Sequence, residues 1–177
     1  MRRPVRCGLT LAVLVAALAG CSSPAERAAI TPQNVVVAKQ HLQSVTVRTA
    51  GGSETGVLDS SSISDTDLKA AIEDAVLGSR LFKTVIQGKG GDYELNVQIV
   101  NLRRPLVGAS LSVEMETGWS LTRSSDRSVV LRKAVRSTGN ATMGEAFAFV
   151  TRLRLAVEKA ARDNISQGLQ AIGELDL

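Results

Sequence analysis

Leu111-Ser112-Val113-Glu114-Met115-Glu116-Thr117-Gly118-Trp119-Ser120-Leu121 is the stretch whose pattern fixes the fold class. Leu111, Val113, Met115, Thr117, Trp119 and Leu121 fall on one side; Ser112, Glu114, Glu116, Gly118 and Ser120 fall on the other. A period of two belongs to an extended chain with one buried and one wet face. Ser124-Ser125-Asp126-Arg127 follows as a hairpin turn, since serine and aspartate side chains bond their own backbone. Val129, Leu131 and Val135 then carry a returning strand, with Lys133 out of pattern. Arg132 and Arg136 fall on its other face, where they are expected to oppose Glu114 and Glu116 across the hairpin. Exposed pairs of this kind are worth at most ~1 kcal/mol each, so they tune register more than stability.

Upstream, Tyr93, Leu95, Val97 and Ile99 alternate with Glu94, Asn96 and Gln98, and Arg103-Arg104-Pro105 ends that strand. A first strand is expected over residues 42–49, with Val45 and Val47 on one face. Ala50-Gly51-Gly52-Ser53 breaks it, and polar sequence runs on to Ser62 as a loop. Val35-Val36-Val37 fits either a short edge strand or the approach to the domain.

Ser64 and Asp67 have capping-box spacing, with Asp in place of the usual Glu, and Ile63 and Leu68 have hydrophobic-staple spacing. Leu68, Ala71, Ile72, Ala75 and Val76 recur at helical intervals, so a helix is predicted over 65–77 with Gly78 as its stop. Leu81, Phe82, Val85 and Ile86 form a return segment packed on the core, followed by a turn at Gly88-Lys89-Gly90-Gly91-Asp92. A long last helix is predicted over 146–174. Its apolar stripe is Val150, Leu153, Val157, Ala160, Ala161, Ile165, Leu169 and Ile172. Arg154–Glu158, Glu158–Arg162 and Lys159–Asp163 lie four apart on its outer face.

The order strand, helix, three strands, helix calls for an α+β two-layer sandwich. Its sheet is antiparallel or mixed, with about four strands, and carries two helices on one face. The other face of the sheet is expected to be polar and solvated.

The first residues set where the chain works. Met1-Arg2-Arg3-Pro4-Val5-Arg6 carries three positive charges and no acid, and an apolar run from Leu9 to Ala19 follows, broken only by Thr10. The run has the length of a signal-peptide core and falls short of the ~20 apolar residues that span a bilayer. It ends in Leu18-Ala19-Gly20-Cys21, which resembles the lipobox of bacterial lipoproteins. In that family the cysteine thiol takes a diacylglycerol, a dedicated peptidase cuts before it, and the new amine is acylated. The resemblance implies that Leu18, Ala19 and Gly20 are recognised by the peptidase and that Cys21 becomes the lipidated first residue. Ala19 and Gly20 are small enough for a protease groove, and Cys21 is the one strong nucleophile at the junction. One acyl chain holds a protein weakly; two or more give stable anchoring.

The organisation that follows is a signal peptide at 1–20, a lipidated tether at 21–33 and a single periplasmic domain at 34–177. The tether, polar and holding Pro24 and Pro32, spans at most about 40 Å at ~3.3 Å per residue. Cleavage removes three of the 21 basic residues and none of the 17 acidic ones, so the formal charge falls from +4 to +1. The basic precursor is therefore no argument for a nucleic-acid partner. Cys7 leaves with the signal and Cys21 is consumed by lipid, so the folded part has no thiol and depends on its hydrophobic core.

Gly51-Gly52-Ser53-Glu54-Thr55, and the run from Thr151-Arg152-Leu153-Arg154-Leu155-Ala156 through Arg162-Asp163-Asn164-Ile165, resemble a family of uncharacterised proteobacterial lipoproteins. The element order is also similar to the lipopolysaccharide-assembly lipoprotein and to auxiliary lipoproteins of lipid-transport ABC systems. That likeness is architectural and carries no function by itself. Neither resemblance implies a catalytic residue.

His41 is the single histidine, and with no free cysteine in the domain a histidine or cysteine metal cluster is excluded. His41 is expected at the surface or a strand edge. Neither a Gly-x-Ser-x-Gly elbow nor a phosphate-binding glycine motif is present. Glu114 and Glu116 share a strand face and read as solvated. Trp119 reads as core. Phe147 and Phe149 begin the last helix two residues apart, so they point different ways and one is a candidate partner or membrane contact. Arg103 and Arg104, at a strand end, are the other candidate contacts.

No cofactor, metal or enzymatic activity is expected. The expected role is a non-enzymatic accessory or interaction module of a cell-envelope complex, held to the membrane by acyl chains with an envelope protein as partner. Two alternatives stand beside it: a lipid or lipopolysaccharide transport auxiliary, with its ligand between sheet and helices, and a cell-wall hydrolase. Ser22 and Ser23 follow the cysteine with no aspartate there. By resemblance to enterobacterial sorting this points to the periplasmic face of the outer membrane, the inner membrane being the other choice.

Overall fold

The computed structural model describes residues 25–52, 63–105 and 107–177. In chain order the elements are α1 (Arg27–Ile30), β1 (His41–Ala50), α2 (Asp65–Ser79), β2 (Phe82–Val85), β3 (Tyr93–Arg103), β4 (Leu111–Arg123), β5 (Val129–Ala141) and α3 (Phe149–Gly173). They form an α+β fold with one five-stranded mixed sheet in the order β2-β1-β3-β4-β5. β1 is parallel to both β2 and β3, while β3, β4 and β5 form an antiparallel meander. The fifth strand is β2, the segment expected only to pack on the core.

The alternation of residues 111–121 is that of β4, whose Leu111, Val113, Met115, Thr117, Trp119 and Leu121 are all buried. Trp119 lies opposite Val97 on β3 and Lys133 on β5, so the out-of-pattern lysine sits on the inner side of the edge strand, with its side chain exposed. Glu116 opposes Arg136 as expected, but Arg132 opposes Ser120, and Glu114 takes its cation from Arg103 on β3.

α2 starts at Ser64, whose Oγ accepts the Asp67 backbone N–H at 2.9 Å and donates to the Asp67 carboxylate at 2.6 Å. A cap of this kind is worth ~1 kcal/mol. Gly78 does not stop the helix. The chain turns two residues later at Arg80, which takes a left-handed φ of 55°. There the Arg80 and Leu81 N–H groups satisfy the carbonyls of Leu77 and Val76.

α3 lies on β4 and β5 at very short range through Ala156, Ala160, Ala161 and Gly168. One polar side chain crosses this apolar contact. Asn164, buried, accepts from Thr117 Oγ1 at 2.6 Å and from the Trp119 indole N–H at 3.3 Å. Its amide donates to the Val135 carbonyl and to Ser137 Oγ, both at 3.2 Å. The network is satisfied at every member, which is the condition for a buried polar group to fix one packing rather than weaken it.

Three expectations are corrected. His41 is not at the surface: it is buried at the start of β1, with Nε2 3.2 Å from the Ile172 carbonyl and its ring 5.3 Å from that of Phe82. The last helix begins at Phe149 rather than 146, which leaves Phe147 outside it and Val150 exposed instead of in the stripe. Glu158 is buried rather than on an outer face, and Lys159 pairs with Glu145 instead of Asp163.

Candidate functional site

Leu18, Ala19, Gly20 and Cys21 lie outside the described residues. What the structure shows is where the chain goes next. Ala25 is 1% exposed, and α1 follows at once with Ile30 fully buried. The stretch expected to be a free tether is therefore packed on the domain from Ala25 onward. The sequence shows no amphipathic run there because a single turn of helix buries only one side chain, Ile30. Arg27 forms a two-pronged ion pair with Asp74 of α2, and the Arg162 guanidinium of α3 donates to the Ala29 carbonyl.

This segment runs along α3 in a definite direction. Ala29 meets Arg162, and Val37 lies beside Gly173. Burial raises the Glu158 carboxyl above its ordinary range, Arg154 and Arg162 pull it down, and the charge of Glu26 adds to the rise.

The start of α3 is built by Arg152. Ala148, the residue before the helix, provides no side-chain cap. The buried Arg152 guanidinium instead donates to the carbonyls of Ala146 at 3.1 Å, Phe147 at 2.6 Å and Gly108 at 3.2 Å. One side chain thus clips the β3–β4 connection to the approach of α3. The turn between β5 and α3 is held in turn by Glu145, which accepts the Thr142 N–H at 3.0 Å and pairs with Lys159. Those two partners keep the Glu145 carboxyl below its usual range, Lys159 most of all. On the outside of this assembly stand Val107, 82% exposed, Met143, 45%, Phe147, 86%, and Val150, 42%.

Arg103 ends β3 on the open face of the sheet, 3.8 Å from Glu114, and Arg136 lies 2.9 Å from Glu116. The four charges border a groove of about 420 Å3 that also takes in Asn101 and Thr138. Arg104 borders a separate groove of about 240 Å3 with Gly52, Ile99 and Asn101. Of the candidate contacts, Phe147 therefore belongs to the α3 end, and Arg103 and Arg104 to the rim of the sheet. The residues missed in the sequence are Val107, Met143 and Arg152. Val107 and Met143 are single apolar side chains in loops, and Arg152 is indistinguishable in sequence from the solvated arginines beside it.

No helix among the described residues is long and apolar enough to cross a membrane. No family model and no curated protein matches the chain. Solved structures do match. The crystal structure of a Xanthomonas campestris protein described under DUF330 is 15% identical, with 86% of this chain and 95% of that one covered at a TM-score of 0.59. A PelC dodecamer from Paraburkholderia phytofirmans is 14% identical over 80% of this chain and 93% of its own, at 0.48. A minor lipoprotein from Acinetobacter baumannii is 8% identical over 78% and 93%, also at 0.48. At this distance the first likeness is one of fold.

Proposed function

We propose that the chain is a lipid-anchored envelope protein acting as a non-enzymatic accessory module, held at the periplasmic face of the outer membrane. The observation that carries this reading is the junction of Leu18-Ala19-Gly20-Cys21 with a body that is already packed at Ala25. An anchor followed so closely by a folded surface holds the domain beside the bilayer, where it meets other membrane-held proteins. The open sheet face, with Arg103, Glu114, Glu116 and Arg136 on a rigid meander, is the surface offered to such a partner.

The reading of a lipid carrier with its ligand between the layers finds less support. Gly139 and Gly168 bring the sheet and α3 into direct contact, which leaves no acyl-sized gap along that seam. A hydrolase would use Glu114 and Glu116, and both are held by arginines on an open face. Photo-crosslinking in living cells from Ser112 and Thr138, exposed on that face, tests the role. A discrete protein adduct that disappears with Cys21→Ser is expected. Adducts at neither position would count against an interaction module.

A further inference from the structure

We infer that the end of the molecule bearing Val107, Met143, Phe147 and Val150 is the face that rests on the lipid bilayer. This rests on the anchored reading above and adds an orientation to it. The four side chains come from the β3–β4 connection, the β5–α3 turn and the first turn of α3. Arg152 ties the segments of Val107 and Phe147 together through the carbonyls of Gly108, Ala146 and Phe147, and Met143 lies in the Thr142–Glu145 turn that leads to them. A charge buried at three carbonyls makes this a built platform rather than a frayed loop. Exposed apolar side chains gathered on a rigid platform mark a contact surface. Others, such as Val36, Leu42 and Val129, belong to other elements.

The course of the chain selects lipid as the occupant. The segment from Ala29 to Val37 tracks α3 from Arg162 to Gly173, so its earlier residues head toward the helix start. Six chain steps run from Arg27, at the start of α1, back to Cys21, a covalent reach of up to ~21 Å. From Arg162 back to Val150 along α3 is twelve residues, or about 18 Å at 1.5 Å each. That reach covers the distance to the level of the platform, and acyl chains entering a bilayer there bring these four side chains to the same surface. Apolar side chains so placed enter the boundary between headgroups and acyl chains, with the aromatic ring suited to that layer. The β4–β5 turn at Ser125, at the far end of the strands, then points away from the membrane and leaves the open face standing free.

The test uses the full chain, processed in cells and reconstituted into vesicles of phosphatidylethanolamine and phosphatidylglycerol. Val107→Cys, Phe147→Cys and, as the distal control, Ser125→Cys each carry an environment-sensitive fluorophore; all three sites are exposed. Lipid-borne quenchers should reduce the signal at 107 and 147 by about twofold or more, and leave 125 unchanged. Intact mass of the same preparations reports the acyl chains independently. Acylated protein with equal quenching at all three sites overturns the orientation and leaves the anchor standing. A chain without acyl groups overturns both. Probes at 107 and 147 that are shielded without lipid, together with self-association in sedimentation, would assign the platform to a second copy and overturn the proposal.

Discussion

Gly139 of β5 lies against the backbone of Ala156 in α3, so close that a methyl group at 139 would sit 1.9 Å from the Ala156 carbonyl oxygen. Gly168 bears the same relation to Trp119, with an added carbon 2.4 Å from the indole ring. α3 can lie flat on the sheet only because these two positions carry no side chain.

The two glycines therefore behave unlike Gly78, where an added methyl meets nothing within 4 Å. Gly139→Ala and Gly168→Ala should each cost about 1–3 kcal/mol through overpacking. Gly78→Ala, in the last turn of α2, should stabilise by up to about 0.5–1 kcal/mol. Urea unfolding followed through the fluorescence of Trp119 measures all three. A neutral Gly139→Ala would contradict the seam described here.

Ile30 is core, although it lies in the stretch that composition marks as a tether. Ile30→Ala should lower stability by about 2–5 kcal/mol, as expected for a buried isoleucine. Were residues 25–33 a free linker, the same substitution would leave the unfolding midpoint unmoved.

Ser44 clamps the start of β3 to β1. Its Oγ and its backbone N–H donate to the Asp92 carboxylate at 2.6 and 2.8 Å, and the Asp92 N–H returns a bond to Oγ at 3.0 Å. These bonds, the hydroxyl's first, hold the Asp92 carboxyl below its ordinary range. A depressed folded value means that the contribution is present above the unfolded value and is lost as pH falls through the folded one. Ser44→Ala should move the Asp92 titration, followed by carbon NMR, upward toward the usual aspartate range. The stability difference between the two proteins should be largest at neutral pH and close in acid. An unmoved titration would show that the hydroxyl does not set it.

The antiparallel meander and the start of α2 were legible because each rests on a local rule. Residues 111–121 alternate without a break, and Ser64 and Asp67 stand at the spacing a cap demands. What was not legible depended on distant partners. β2 is four residues long and becomes a strand through its parallel ladder with β1. The stop of α2 looked like Gly78, yet Arg80 takes the left-handed turn because burying Leu81 fixes the exit of the chain. His41 and Glu158 are polar residues that the fold buries, His41 against the end of α3. Phe147 was flagged by its spacing from Phe149. Val107 was not, since its segment joins that of Phe147 only through the clip made by Arg152, and Met143 was not, since it is a lone apolar side chain in the Thr142–Glu145 turn.

The intact mass of the mature protein, purified from membranes with detergent, bears most directly on the account. The expected species begins at Cys21 and carries the added mass of its acyl chains, and Cys21→Ser should give a chain that keeps residues 1–20 and carries no acyl mass. A polypeptide that begins elsewhere without lipid, or a serine variant that is still cut between residues 20 and 21, would contradict the anchor and with it the role assigned here.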